Sequence, residues 1–194
     1  MRNRQISLPM LLTFIRLIGS AVLPFFLVYL LPYNLFWLNS SLAILFGFFG
    51  LTDFFDGYLA RKYNQVTPTG AMLDHVADKF LLYSTLIALV AAHKLYFFWA
   101  IIWIGREFFI MALRQIALEN NFSIAVSSYG KLKTAVQIAC LAFIIINPYQ
   151  TLFIAAPYWN GTELLLLLCG TALSVGSAYN YFSLFIMKYY RNIN

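Results

Sequence analysis

Four aspartates, Asp53, Asp56, Asp74 and Asp78, fall within two short stretches, DFFDGYLAR (53–61) and GAMLDHVADK (70–79). On a helix, positions 53, 56, 57, 60 and 61 recur at i, i+3, i+4, i+7 and i+8 and share one face, and Gly70, Asp74 and Asp78 share another. Two such helices joined by the short KYNQVTPTG segment can aim four carboxylates at one pocket. Four uncompensated carboxylates in an apolar setting would each cost several kcal/mol or be driven neutral. Two divalent cations would compensate them. With no His or Cys set nearby, oxygen donors favour Mg²⁺, Mn²⁺ or Ca²⁺ over zinc or copper. A pair of such metals suits displacement at phosphorus, where attacking and leaving oxygens both need stabilisation. Gly57 and Ala60 leave room for a large ligand on the same stripe, and Arg61 offers a planar fork for a phosphate. Simple ion pairing of Asp53 or Asp56 with Arg16 or Arg106 is the bland alternative, and a proton or cation pathway is the sharper one.

The elements that position these residues are apolar helices. Of 194 residues, 62% are hydrophobic and 10% charged, the mean hydropathy is +0.76, and residues 17–52 contain no Asp, Glu, Lys or Arg. Soluble domains carry roughly 25% charged residues. The chain therefore reads as an all-α integral membrane protein with six transmembrane helices, near 8–31, 37–61, 70–92, 95–119, 131–155 and 162–189, forming one domain over 1–194. Turn signals at LPYN (31–34), TPTG (67–70), NPYQ (147–150) and PYWNGT (157–162) separate the spans. The basic start is read as part of a retained first span rather than a cleaved leader. Arg2, Arg4, Arg61, Lys62, Lys131, Lys133, Lys188 and Arg191 fall on one side of this weave and Lys94 on the other, which predicts both termini in the cytoplasm. The aspartates then lie in the inner part of the membrane, Asp53 about 12 Å in from Arg61 and open to the cytosol. The net charge of +6 is scattered through short loops, which fits anionic lipid surfaces and small anions and excludes nucleic acid as a partner.

The pattern D53-x2-D56-G57-x2-A60-R61-x8-G70-x3-D74-x3-D78 resembles, position for position, the signature of the CDP-alcohol phosphatidyltransferases. The resemblance implies six transmembrane helices, a homodimer, and two divalent cations, Mg²⁺ or Mn²⁺, held among Asp53, Asp56, Asp74 and Asp78. It implies transfer of a phosphatidyl group from CDP-diacylglycerol to an alcohol with release of CMP, with Asp78 as the base that takes the alcohol's proton. PMLLTFIR (9–16), DGYLARKYNQVTPTGAMLDHVADK (56–79), IGREFFIMALRQ (104–115) and SSYGKLKTAVQ (127–137) further resemble the branch of that family whose acceptor is sn-glycerol 3-phosphate. On that resemblance Thr13, Gly57, Ala60, Arg61, Thr67 and Gly70 contact the CDP-lipid, while Arg106, Arg114, Lys131 and Lys133 hold the acceptor phosphate. Phosphatidylglycerol, inositol or serine are the alternative acceptors. Met10 and His75 depart from the family pattern, which carries Asn and Pro there; neither change removes an expected metal ligand.

The cations have a plainer reading beside this one. Lys131 and Lys133 also fit ordinary positive-inside markers at a helix start, and Arg106 also fits a partner for Glu107 or an Asp. His93 and Lys94 read as solvated loop residues, Cys140 and Cys169 as inert packing residues, and Trp37, Trp99 and Trp159 as interfacial anchors. Asn39, Asn121 and Asn160 begin N-x-[ST] matches too short to carry weight. Short loops suggest a bacterial inner membrane with the active site facing the cytoplasm.

Overall fold

The computed structural model describes residues 8–62, 68–120, 122, 128–148 and 157–193, with side chains described within 14–51, 76–77, 79–120, 122, 130, 132–148 and 158–190. Six helices account for nearly all of it, and no strand occurs among the described residues: α1 (Leu8–Leu30), α2 (Phe36–Lys62), α3 (Pro68–Ala91), α4 (Phe97–Glu119), α5 (Ser128–Ile146) and α6 (Pro157–Ile193), with a 3₁₀ turn at Leu31–Tyr33. Large apolar side chains are exposed in mid-helix, among them Ile18, Phe25, Ile44, Ile87, Ile101 and Leu165. In water such faces would be an aggregation hazard, whereas hydrocarbon is their natural solvent. The segments Phe14–Tyr33 and Tyr158–Tyr190 are each long and apolar enough to cross a bilayer, and Phe36–Leu51, Lys79–Ala91 and Leu132–Ile146 are shorter apolar stretches.

Two expected boundaries move. The fifth helix stops at Ile146 rather than near 155, because Pro148 disfavours helical geometry at Asn147 and cannot donate a helical hydrogen bond; residues 149–156 lie outside the described residues. PYWNGT is not a turn: α6 opens at Pro157 and runs through it. Proline at the first helical position gives up an N–H that has no intrahelical partner anyway.

Two compact units divide the chain, residues 1–95 with 141–152, and residues 96–140 with 153–194. In the first, α1 packs along α3 and α2. Pro24 sits inside α1 and cannot donate to the carbonyl of Ser20, four residues back. The hydroxyl of Ser84 on α3 donates to that carbonyl at 3.0 Å, so a neighbouring helix supplies the bond that proline removes. Closer to the start of α1, Gly19 lets the ring of Phe49 lie against the backbone: a Cβ there would stand 2.3 Å from Phe49 Cζ.

The end of this unit opposite the aspartates is fixed by Lys94. The residue is 2% exposed, which overturns the expectation that it is solvated. Its Nζ donates to Asn34 Oδ1 at 2.7 Å and to the carbonyl of Asn147 at 3.0 Å, and Asn39 Nδ2 reaches the same carbonyl at 3.4 Å. The ammonium ties together the chain just past α1, α3 and α5, beside the start of α2. An apolar end of a bundle has few partners for exposed carbonyls, and a lysine donates up to three bonds. The local backbone aims it there: His93, exposed as expected, takes a left-handed φ of 56°. The Lys94 N–H then bonds Leu89 O and the His93 N–H bonds Val90 O, a Schellman closure of α3.

In the second unit α4 packs along α6. The indole of Trp103 lies against Gly170, whose hypothetical Cβ would be 3.0 Å from the ring, and its N–H donates to Thr171 Oγ1 at 2.8 Å. Ile110, Leu113 and Ala117 of α4 meet Tyr181 and Phe185 of α6, with Phe122 packed against them. Cys140 is buried as expected, but Cys169 is exposed on α6 and is not a packing residue. Trp37 is exposed, whereas Trp99 is buried and acts as core rather than as an anchor.

Candidate functional site

The four aspartates lie on two consecutive helices of the first unit, Asp53 and Asp56 in α2, Asp74 and Asp78 in α3. Both helices run unbroken through these positions, so the i, i+3 and i, i+4 spacings read from the sequence are realised in the backbone. Gly57, Ala60 and Arg61 follow in α2, and Gly70 lies in the first turn of α3, two residues after Pro68. The side chains at these positions, with those of Thr13, Met10 and His75, fall outside the described ones, and Thr67 lies in the undescribed segment 63–67. Oxygen donors repeated at this spacing on adjacent helices fit hard divalent cations. Among the described side chains no group of three His, Cys, Asp or Glu comes together elsewhere to compete for them. Arg16, on α1 of the same unit, is fully buried; a guanidinium at that depth persists only with partners.

The second unit carries the cationic part of the expected site. Arg106 lies on α4, and its guanidinium is held from three directions. Nη1 donates to Glu107 Oε1 at 2.6 Å, Nε to the carbonyl of Ser174 at 3.2 Å, and Nη2 to the hydroxyl of Ser177 at 2.8 Å. The ammonium of Lys133, on α5, donates to the same Glu107 oxygen. The carboxylate thus bridges two cations, all three side chains at most 11% exposed. The plainer reading of Arg106 as a partner of Glu107 holds, whereas Lys133 is buried and is no ordinary loop marker. Ser174 Oγ, fully buried beside this cluster, has no hydrogen-bond partner among the described residues, a condition that costs about 1–3 kcal/mol unless a ligand or water meets it.

The other two expected phosphate ligands stand differently. Arg114 is half-buried and about 12 Å further along α4, with no partner among the described residues. The side chain of Lys131 lies outside the described ones. Ser174 and Ser177 were not anticipated. Their signal was present in SVGS (174–177), two hydroxyls at i, i+3 in an otherwise apolar helix.

A family model described as CDP-alcohol phosphatidyltransferase matches residues 6–174. The chain belongs to the CDP-alcohol phosphatidyltransferase family. Among curated relatives, the CDP-diacylglycerol–glycerol-3-phosphate 3-phosphatidyltransferases of Escherichia coli strain K12, Shigella flexneri serotype 5b and Shigella sonnei are each 41% identical over 152 residues, covering 74% of this chain and 79% of the relative. Membership makes the protein a membrane-embedded transferase of phospholipid synthesis. As a member of the CDP-alcohol phosphatidyltransferase family, it carries the family's gapped aspartate pattern on α2 and α3 without interruption. The matched segment also takes in Arg106, Glu107 and Lys133 on α4 and α5.

Proposed function

We propose that this chain transfers the phosphatidyl group of CDP-diacylglycerol to sn-glycerol 3-phosphate, forming phosphatidylglycerol phosphate and CMP. The observation that carries this reading is the eight-position pattern from Asp53 to Asp78 in a chain 41% identical to enzymes named for that reaction. Asp53, Asp56, Asp74 and Asp78 hold two divalent cations, Mg²⁺ or Mn²⁺. When bound, these draw negative charge off the pyrophosphate. Thr13, Gly57, Ala60, Arg61, Thr67 and Gly70 contact the CDP-lipid, the small residues by leaving space and Arg61 by forking onto a phosphate. Asp78 accepts the proton of the acceptor hydroxyl as its oxygen bonds to the phosphatidyl phosphorus and the bond from that phosphorus to CMP breaks.

The choice of acceptor rests on charge. Arg106 and Lys133, gathered on Glu107, bring two cations together, and Lys131 and Arg114 complete the acceptor-phosphate set of this reading. Two cations in one buried cluster favour a phosphorylated acceptor over neutral inositol or zwitterionic serine. The rest of the reading is a single membrane domain over 1–194, six crossings with both termini in the cytoplasm, a homodimer, and a bacterial inner membrane with the active site facing the cytosol. The gathering of the ends of α1, α3 and α5 around Lys94 supports alternating crossings.

The test is CMP release by the purified protein in detergent with CDP-diacylglycerol and Mg²⁺ or Mn²⁺, offering glycerol 3-phosphate, phosphatidylglycerol, inositol or serine separately. Release with glycerol 3-phosphate alone is expected, and release with another acceptor instead would reassign the substrate. Folded protein inactive with all four would refute the transferase reading and direct attention to proton or cation flux.

A further inference from the structure

We infer that α6 takes part in acceptor recognition through Ser177, acting with the backbone carbonyl of Ser174 as the positioning group that aims Arg106. The inference rests on the proposed role of Arg106 in binding the acceptor phosphate. Ser177 lies three residues beyond the segment matched by the family model, which ends at 174.

A guanidinium carries five N–H donors in one plane, and its value in phosphate binding depends on where that plane points. Three of the five are committed: Nε to Ser174 O at 3.2 Å, Nη1 to Glu107 Oε1 at 2.6 Å, and Nη2 to Ser177 Oγ at 2.8 Å. One N–H on each terminal nitrogen is left without a partner among the described residues, and a phosphate accepts such donors readily. Glu107 alone would leave the group free to swing about that single bond. The two contacts on α6 remove this freedom, because Nε and Nη2 lie on one edge of the guanidinium and both are held.

Ser177 is suited to this by its own second bond. Its hydroxyl donates to the Ser174 carbonyl at 2.9 Å, so its proton is spent there and its lone pairs are turned to Arg106. The residue is 5% exposed, and water is poorly placed to replace it. It also carries no charge, so its removal leaves the electrostatic attraction for an anion intact and changes only the aim. The effect should therefore appear in the acceptor's KM and not in that of the CDP-lipid.

The experiment is steady-state kinetics of the purified full-length protein in detergent with both substrates varied, for wild type, Ser177→Ala, Ser177→Thr and Arg106→Gln, each checked for folding by thermal unfolding. A hydrogen bond to a charged group being lost, Ser177→Ala should raise the KM for glycerol 3-phosphate roughly tenfold and move that for CDP-diacylglycerol less than about twofold. Ser177→Thr keeps the hydroxyl and should recover most of the loss. Arg106→Gln should raise the acceptor KM further than Ser177→Ala does. An unchanged acceptor KM in Ser177→Ala, or a Thr variant as impaired as the Ala variant, would overturn the assignment of Ser177 while Arg106→Gln still supports the acceptor site. An active Arg106→Gln enzyme with the wild-type acceptor KM would instead sink the acceptor-phosphate reading itself.

Discussion

Replacing Glu107 by Gln should leave two buried cations facing each other across a neutral amide. The carboxylate accepts from both Arg106 and Lys133, and its side chain is 11% exposed, so little water can screen what remains. Breaking a buried ion pair from one side costs about 3–5 kcal/mol, chiefly because the surviving charge is stranded; the slight exposure and the remaining amide oxygen argue for the lower end, about 3 kcal/mol. In a chain of this size that corresponds to a fall in melting temperature of about 6–12 °C. Lys133→Met alone should cost less, since the Arg106–Glu107 pair survives it. The diagnostic is the double variant. With Glu107→Gln already present, Lys133→Met removes a cation that has already lost this carboxylate, so the double variant should lose less than the sum of the two single losses. Thermal unfolding in detergent of the four proteins forms the cycle. Losses that simply add would refute the shared-carboxylate arrangement.

Two further outcomes follow from packing. Ser84→Ala should destabilise the fold by about 1–2 kcal/mol by leaving the Ser20 carbonyl without a donor. Pro24→Ala, which restores the helical N–H, should remove most of that penalty when both are changed, as thermal unfolding would show. Lys94→Met should cost about 1–2 kcal/mol by removing its bonds to the Asn147 carbonyl and Asn34 Oδ1. The same change should speed hydrogen exchange at the ends of α3 and α5 while sparing α4.

The helices were legible because a chain this apolar leaves the backbone little choice but to satisfy itself internally. Boundaries followed wherever proline or a left-handed residue marked them, as at Asn34, with φ of 53°, and at Pro68. PYWNGT misled because its proline and glycine read as a turn, whereas proline is equally at home in a helix's first turn. The placement of the four aspartates on α2 and α3 was legible because it depends only on spacing along two consecutive helices. Lys94 was not, since loop position and charge suggest solvent, and only the meeting of three helix ends supplies the acceptors that let an ammonium be buried. Ser177 was hidden for a related reason. Its importance comes from facing Arg106, 71 residues away, and a serine in an apolar helix is by itself unremarkable.

The central claim is tested most directly by CMP release from CDP-diacylglycerol and glycerol 3-phosphate in matched preparations of wild type and Asp78→Asn, with and without a chelator. The account predicts CMP and phosphatidylglycerol phosphate in equal amounts from wild type, abolished by chelation and restored by Mg²⁺ or Mn²⁺, and a rate at least 100-fold lower for Asp78→Asn, the usual scale for loss of a general base. Product formed at the wild-type rate by folded Asp78→Asn, or in the presence of chelator, would contradict it.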